Sequence, residues 1–188
     1  MPRRVKGHLF LEYVRIIRAN KELDWTRTLS PDDLEWLSKQ IDPGQWYPMT
    51  AYESLGLAIL DQVARQNLDQ VHRWGRQTID ELRESQPEMF AENDPRETLM
   101  RFQILRQTLF DFPAATVRSI HDGRAVLEIN YGMSERAEEA AAHQSLGFLE
   151  RLMEVSGGDS AKAEILEGIW EGFSTTLIAV RWKRPARD

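Results

Sequence analysis

Three polar side chains in the stretch INYGMSER, residues 129–136, are of the types that bind anions. Tyr131 and Ser134 offer hydroxyl donors, and Arg136 offers a guanidinium fork that pairs with a carboxylate or a phosphate. They lie where a strand-like run passes into a helix-like run, so the helix N-terminus would add its own attraction for negative charge. A simpler interpretation stays open, in which Tyr131 ends a strand, Ser134 caps the helix and Arg136 is solvated.

Other residues of catalytic or metal-binding types are isolated from one another. There is no cysteine, no HExxH motif and no glycine-rich phosphate loop. Ser134 and Ser145 have no nearby base in the sequence that would activate a nucleophile. The four histidines are each alone on their segments: His8, His72, His121 and His143. We therefore expect no catalytic residues, no metal site and no enzymatic activity.

Aromatic and aliphatic residues in the middle of the chain either fill a core or line an apolar pocket where a helical half meets a sheet. In the pocket interpretation, Tyr131, Ser134 and Arg136 hold the polar end of a ligand. Phe102, Leu105 and Leu109 line its apolar part, and Trp74 contributes a further wall. The ligand predicted in this way is a small apolar or amphiphilic molecule.

Helix-start signals recur through the first 112 residues. Apolar residues at helical spacing predict a helix over Val5 to Ala19. Further starts are predicted at Ser30-Pro31, at a capping box formed by Thr50 and Glu53, at Asp69 and at Asp94-Pro95.

The hydrophobic period changes after Pro113. Asp122-Gly123 predicts a hairpin, and a helix is expected from Glu135 to Val155, ended by Gly157-Gly158. A second hairpin is expected around Glu171-Gly172, and its last strand is apolar enough to lie inside a sheet. The sequence thus predicts an α+β fold, with an N-terminal helical half packed on a four-stranded antiparallel sheet of ββαββ order. We expect one domain over 1–188, with a helical subdomain at 1–112 and the ββαββ subdomain at 113–188.

Two glycines inside predicted helices, Gly75 and Gly147, each cost about 1 kcal/mol in helix propensity. Close approach of another backbone would explain them, either within the domain or across a dimer interface. Packing of the Gly147 helix tightly on the sheet is the explanation that the sequence favours.

Composition and charge limit the class of partner. The chain has 188 residues, 41% hydrophobic and 29% charged, with a formal net charge of −6, which argues against broad nucleic-acid binding. No apolar run reaches the roughly 20 residues of a membrane span, and no signal-peptide cleavage site follows the N-terminal run, so the cytoplasm is expected. Basic residues at the two ends either solubilise the termini or dock an acidic partner: Arg3, Arg4, Lys6, Arg181, Lys183, Arg184 and Arg187.

Short motifs along nearly the whole chain resemble the H-NOX (heme nitric-oxide/oxygen-binding) family. They are VKGHLF at 5–10, WGRQTI at 74–79, PEMF at 87–90 and YGMSER at 131–136. The chain is also similar to wider relatives, the vinyl-reductase-type small-ligand domains and the Bet-type subunits of the TRAPP vesicle tether. WYP at 46–48, GR at 75–76 and GFLE at 147–150 resemble an uncharacterised myxobacterial paralogous family, which implies a bacterial protein.

The resemblance implies a heme site that this sequence alters in two places. H-NOX proteins clasp the heme propionates with a Tyr-x-Ser-x-Arg motif, and here one extra residue separates Tyr131 from Ser134. The helix that would carry the axial histidine reads ETLMRFQILRQTLFDF, with Leu105 or Arg106 at the matching place. We therefore expect the fold without heme and without any other cofactor.

Two function hypotheses follow. The first is a noncatalytic sensory or regulatory module that binds a small apolar or amphiphilic ligand at the helix–sheet junction and signals to a partner protein. The second is an interaction scaffold with a filled core, acting through dimerisation as the tether subunits do.

Overall fold

The computed structural model describes residues 2–183, so the basic residues Arg184 and Arg187 lie outside the described part of the chain. Its contacts divide into two compact units. The first comprises the chain up to Asn67 together with Gln107–Pro113, and the second comprises Leu68–Arg106 together with the chain from Ala114 onward. The predicted organisation as one domain with a boundary at 112/113 stays a prediction. Within residues 2–183, no helix combines the length and the apolar character needed to cross a bilayer.

The first unit contains a small antiparallel sheet and three helices. Strand β1 (Arg4–Lys6) pairs with β2 (Trp46–Pro48), with Val5 opposite Tyr47. The helices are α1 (Gly7–Ala19), α2 (Pro31–Glu35) and α3 (Met49–Gln62), with a 3₁₀ turn at Trp25–Arg27. Their core contains Phe10, which stacks on Tyr47 with ring centroids 4.7 Å apart.

Two predictions for this unit are wrong and one is confirmed. Val5 lies in a strand, because its backbone pairs with Tyr47, and α1 begins two residues later. Thr50 and Glu53 form no capping box, because Pro48 is the N-cap of α3 and Thr50 therefore lies inside its first turn. Ser30 caps α2 as predicted, since its side-chain oxygen accepts a hydrogen bond from the Asp33 backbone N–H at 3.1 Å.

The second unit is built on a four-stranded antiparallel sheet. Its strands are β3 (Ala115–His121), β4 (Arg124–Ile129), β5 (Asp159–Glu167) and β6 (Thr176–Lys183), in the spatial order β3-β4-β6-β5. The hairpin at Asp122-Gly123 is confirmed, with Gly123 at φ +74°. The second hairpin, through a 3₁₀ turn at Ile169–Glu171, and the interior position of β6 are also confirmed. The predicted α+β class, with this sheet in the C-terminal half, is therefore correct.

Three helices complete the second unit. They are α4 (Leu68–Ser85), α5 (Pro95–Leu109, whose last three residues belong to the first unit) and α6 (Glu135–Val155). A 3₁₀ turn at Pro87–Met89 precedes α5. Both bounds of α6 are as predicted, and the start of α5 is confirmed by a hydrogen bond from the Glu97 backbone N–H to the Asp94 carboxylate at 2.9 Å. Helix α6 covers one face of the sheet, where Leu127, Ile129, Ile178 and Val180 are buried.

The two helical glycines mark a close crossing of α4 and α6. A Cβ at Gly75 would lie 2.0 Å from the Gln144 carbonyl oxygen, and a Cβ at Gly147 would lie 1.9 Å from the His72 carbonyl oxygen. Each helix therefore presents a glycine to the backbone of the other. The explanation favoured by the sequence, a helix lying tightly on the sheet, is wrong for Gly147, because the neighbouring backbone belongs to α4.

Candidate functional site

A small, partly enclosed cavity lies inside the second unit between α5, α6 and the first hairpin. Its volume is about 30 Å³, enough for about two water molecules. Most of its wall is hydrocarbon, supplied by Leu99, Phe102, Ala115, Val117, Leu127, Ile129, Phe148 and Leu149. Four polar residues complete the lining: Gln103, Arg106, Thr116 and Ser145.

Phe102 anchors the aromatic part of this wall. It is buried on α5 and meets two other rings edge to face, Phe148 of α6 at 5.2 Å and Phe90 at 5.8 Å. Edge-to-face pairs stabilise by about 0.5–1.5 kcal/mol beyond the area they bury. These three rings thus form a packed aromatic part of the wall.

Arg106 brings a guanidinium to the same cavity. It follows Phe102 by four positions on α5, so both side chains lie on one helix face. Its Nη2 donates a hydrogen bond to the Tyr131 hydroxyl, and its guanidinium carbon lies 5.6 Å from the Tyr131 ring centroid. Tyr131 is only 6% exposed and lies two residues after the end of β4, where it contacts the guanidinium.

Gln103 is the second polar group of α5 at the cavity. Its side-chain oxygen is buried and has no hydrogen-bond partner among residues 2–183. A buried amide left in this state costs about 1–3 kcal/mol relative to a satisfied one. A buried acceptor in this state calls for a donor from water or from another molecule.

The other predicted site residues lie at different places. Ser134 is exposed at the N-cap position of α6 but makes no side-chain capping bond, and Arg136 is exposed in the first turn. Trp74 is half-buried on α4, and Leu105 is half-buried on α5; neither lines the cavity. Leu109 is half-buried at the end of α5 and belongs to the first unit. Their predicted roles in ligand binding stay predictions.

The first turn of α6 contains a carboxylate that is almost completely buried. Glu138 is 1% exposed, and its Oε1 accepts a hydrogen bond from the Met133 backbone N–H at 3.1 Å. This contact closes the loop between β4 and α6. The buried carboxylate thus fixes the backbone that follows Tyr131.

A second polar cluster holds α4 against α6. Glu150 is 5% exposed and accepts contacts from His72 Nε2 at 3.1 Å, Arg76 Nη1 at 3.3 Å and the Ala163 backbone N–H at 3.1 Å. Glu154, four residues further along α6, accepts a hydrogen bond from Arg76 Nη2 at 2.6 Å. Burial acts to raise the pKa of Glu154, but the hydrogen bonds from Arg76 and Arg151 outweigh it, so this pKa is lowered. These groups satisfy one another and form a structural cluster.

Sequence reasoning does not assign Gln103 and Arg106 to a site. A sequence signal that could have found them is helical spacing. This spacing places the side chains of Phe102, Gln103 and Arg106 on one face of a helix. In the sequence, Arg106 stands out only as a residue that cannot replace an axial histidine. Within residues 2–183, no group of three or more histidine, cysteine, aspartate or glutamate side chains has the geometry to hold a metal ion.

No protein-family model and no curated protein matches the chain. Solved structures do match. An Fe(II) unliganded H-NOX protein from K. algicida aligns over 97% of this chain and 99% of its own, with a TM-score of 0.64 and 15% identity. A point mutant of the T. tengcongensis H-NOX protein aligns over 97% of this chain and 100% of its own, with a TM-score of 0.62 and 16% identity. The chain therefore has an H-NOX-like fold, as its motifs predicted.

Proposed function

We propose that the chain is a noncatalytic sensory or regulatory module that binds a small apolar or amphiphilic molecule and signals to a partner protein without using heme. The observation that carries this proposal is the apolar cavity of the second unit, with the guanidinium of Arg106 and the amide of Gln103 at its polar end. Apolar walls with a few converging polar groups are the usual composition of small-ligand sites. The H-NOX-like fold adds support by analogy.

The lining of the cavity supports a noncatalytic role. It includes no histidine, aspartate, glutamate or cysteine among the described residues, so no side chain there has the proton affinity of a general base. The hydroxyl of Ser145 donates to the Ala141 carbonyl oxygen at 2.8 Å, which leaves it without a base to accept its proton. Binding, not turnover, is the function that these groups support.

The residues present do not fit heme. Helix α5, which the resemblance equates with the helix of the axial histidine, has no histidine between Pro95 and Leu109. Arg106, at or next to the matching place, is a cation bonded to Tyr131, one of the three residues that would clasp a propionate. A guanidinium does not serve as an iron ligand. Heme is therefore no part of the proposed function.

Three measurements on the purified protein test the proposal. An absorbance scan after incubation with hemin should show no Soret band of a ligated heme protein. Mass spectrometry of a denatured extract should show a stoichiometric small molecule, and native mass spectrometry should show the same mass added to the folded chain. A ligated heme spectrum would contradict the heme-free part.

The matched control for the two mass-spectrometric measurements is a variant with a filled cavity, Ser145→Leu. It should lose the added mass while its circular dichroism stays unchanged. Retention of the full mass by this variant would mean that the molecule binds elsewhere. Repeated absence of any small molecule from the wild-type protein would contradict the ligand-binding part.

The alternative function, an interaction scaffold, is favoured by one observation. A cavity of about 30 Å³ is small, so the core of the second unit is nearly full as it stands. A scaffold would act through its surface, where Ile104 of α5 is 63% exposed. This alternative predicts a dimer by analytical ultracentrifugation whose stability is the same with and without small molecules.

A further inference from the structure

We infer that the open face of the four-stranded sheet binds an acidic peptide segment of a partner protein through a basic row formed by Arg124, Arg181 and Lys162. This inference rests on the partner-binding part of the proposed function and specifies where the partner binds. It does not depend on the cavity.

The strand register places the basic row across three neighbouring strands. Arg124 of β4 lies opposite Arg181 of β6, and Arg181 lies opposite Lys162 of β5. Neighbouring strands are about 4.8 Å apart, so the three side chains leave the backbone within about 10 Å of one another. The residues adjacent to the row in β4 and β6, Ala125 and Val180, are buried on the α6 side of the sheet. Because side chains alternate along a strand, the row lies on the opposite, open face.

The basic row is exposed and only partly neutralised by the protein itself. The side chains of Lys162 and Arg181 are 84% and 59% exposed, and Arg124 is also exposed. Arg181 Nη2 pairs with Glu164 at 2.7 Å, whereas Lys162 Nζ lies 3.8 Å from the nearest oxygen of Glu150. Arg124 makes no side-chain hydrogen bond or ion pair within residues 2–183. The three cations therefore have one close carboxylate among them.

The stability of the sheet does not account for this arrangement. Like charges that lie directly opposite each other in a sheet are destabilising. The whole chain has a formal net charge of −6, so the basic row is a local positive surface on a negatively charged molecule. A carboxylate that bridges Arg124 and Arg181 would replace their repulsion with charge-assisted hydrogen bonds.

An acidic peptide fits the basic row better than a nucleic acid does. The negative net charge of the chain repels a phosphate backbone. The only phenylalanine, tyrosine or tryptophan in strands β3 to β6 is Trp182, which is buried on the α6 side and offers no ring to a base. An extended peptide with acidic residues at alternate positions presents carboxylates about 7 Å apart, so two of them fit within the row.

Strand pairing, and not sequence proximity, brings the basic row together. Among the basic residues near the C-terminus, Arg181 belongs to the row, whereas Lys183 lies opposite Asp159. Arg124 and Lys162 come from other parts of the chain and lie beside Arg181 only in the folded sheet. An acidic partner thus has a defined surface on which to bind.

The experiment uses a short fluorescein-labelled peptide in which glutamate alternates with threonine. Its counterpart has glutamine at every glutamate position. Binding to the purified chain is followed by fluorescence anisotropy at low ionic strength and again with added sodium chloride. We expect the glutamate peptide to bind roughly tenfold more tightly than the glutamine peptide, and to be released as salt screens the charges. Equal binding of the two peptides, or no binding of the glutamate peptide, would overturn the inference.

Variants of the basic row should change the affinity in both directions. Arg124→Gln should weaken binding of the glutamate peptide roughly threefold, and Arg124→Gln combined with Lys162→Gln should weaken it roughly tenfold. Glu164→Gln should strengthen binding, because it removes the carboxylate that competes for Arg181. The Tm should not fall in Arg124→Gln, because this change removes a like-charge contact.

Arg118→Gln is the matched control. Arg118 is a cation of β3 whose side chain is 58% exposed and pairs with Glu128, outside the basic row. This variant should bind the glutamate peptide as the wild-type protein does. An equal loss of affinity in Arg118→Gln and Arg124→Gln would overturn the assignment to the row. Should a variant of the row fail to fold, the tighter binding expected of Glu164→Gln decides.

Other anions are tested on the same proteins. They are a single-stranded oligothymidylate and vesicles that contain phosphatidylserine. Tighter binding of either one than of the glutamate peptide, with the same loss in Arg124→Gln, would overturn the peptide in favour of a nucleic acid or a membrane. None of these outcomes affects the cavity, so the mass spectra of the purified protein decide the ligand-binding part of the proposed function independently.

Discussion

Glu150 is the residue on which the charges between α4 and α6 converge. Its carboxylate is nearly removed from solvent and is contacted by His72, Arg76 and the backbone of Ala163. A buried carboxylate is tolerated only when its lone pairs are satisfied, and here three groups from two other elements satisfy them. Loss of this one side chain would leave the guanidinium and the imidazole of α4 without their shared acceptor.

Replacement of Glu150 by alanine should therefore be costly. We expect Glu150→Ala to lower the free energy of unfolding by about 3–5 kcal/mol, the range for breaking a buried ion pair. The measurement is urea denaturation followed by circular dichroism. The matched control is Glu164→Ala, which removes an exposed carboxylate paired with Arg181 at 2.7 Å and should cost at most about 1 kcal/mol. Similar losses in both variants would mean that Glu150 is not the centre of the cluster.

His143 gives the fold a dependence on pH. Burial lowers the pKa of this imidazole; Glu139 and Asp69 act in the opposite direction, and His72 acts in the same direction. Because the unfolded chain then binds the proton more readily, the free energy of unfolding falls as the pH drops through the ordinary histidine pKa near 6.5. The loss ends below the lowered pKa of the folded state.

Replacement of His143 by glutamine should flatten this part of the stability curve. Urea denaturation gives the free energy of unfolding at each pH. Between about pH 7.5 and pH 5 this free energy should change less in His143→Gln than in the wild-type protein. The difference should be under about 1 kcal/mol, because the ring is only half-buried. His8→Gln, at a histidine whose side chain is 61% exposed, is the control and should leave the curve unchanged. A wild-type stability that rises on acidification over this range would contradict the assignment.

At the scale of the elements, α6 shows how much the sequence could predict. Its end follows from Gly157-Gly158, where Gly157 has φ +92°. Its start was predicted at Ser134, which occupies the N-cap position although its side chain makes no capping bond. The Asp122-Gly123 hairpin was predictable because its signal also acts on the local backbone. Strands β1 and β2 were missed, since three residues are too few to show an alternating pattern. The partner of Gly147 was also missed, because a helix crossing depends on contacts between segments far apart in the chain.

The difference between local signals and contacts between distant segments also applies to the candidate site. Phe102 and Tyr131 were predicted from residue type, and both lie near Arg106 in the second unit. Ser134 and Arg136 are close to Tyr131 in sequence but are exposed, whereas Tyr131 is buried. Proximity along the chain was a poor guide to burial at the point where the strand ends and the chain turns. The charged group that lines the cavity comes from another helix.

The crossing of α4 and α6 offers a test in which helix propensity and packing predict opposite signs. Propensity alone predicts that Gly147→Ala stabilises α6 by about 1 kcal/mol. The added Cβ would meet the His72 carbonyl oxygen at 1.9 Å, so the helices must separate, at a net cost of about 1–3 kcal/mol. Urea denaturation measures the sign. Gly44→Ala, whose Cβ would have its nearest neighbour at 3.4 Å, is the control and should have little effect.

For the whole molecule, the division of α5 between the two units is the feature that bears on the proposed signalling. This helix lines the cavity up to Arg106 in the second unit, and its next three residues belong to the first. A hydrogen-bonded helix resists local bending, so a movement of Arg106 is carried into the residues that follow it. A ligand that engages Arg106 thus has a covalent route to the other unit, which a filled scaffold would not use.

Hydrogen exchange tests this route. The cavity-filling variant Ser145→Leu should slow exchange of α5 amides around Phe102 and Arg106, and the protection should continue through Gln107–Pro113 in the first unit. Overlapping peptides analysed by mass spectrometry would resolve the two segments. Glu164→Ala, which changes an exposed residue of β5, is the control and should leave exchange in both segments unchanged. Protection that ends at Arg106 would mean that filling the cavity is not sensed by the first unit, and the regulatory part of the proposal would then be wrong.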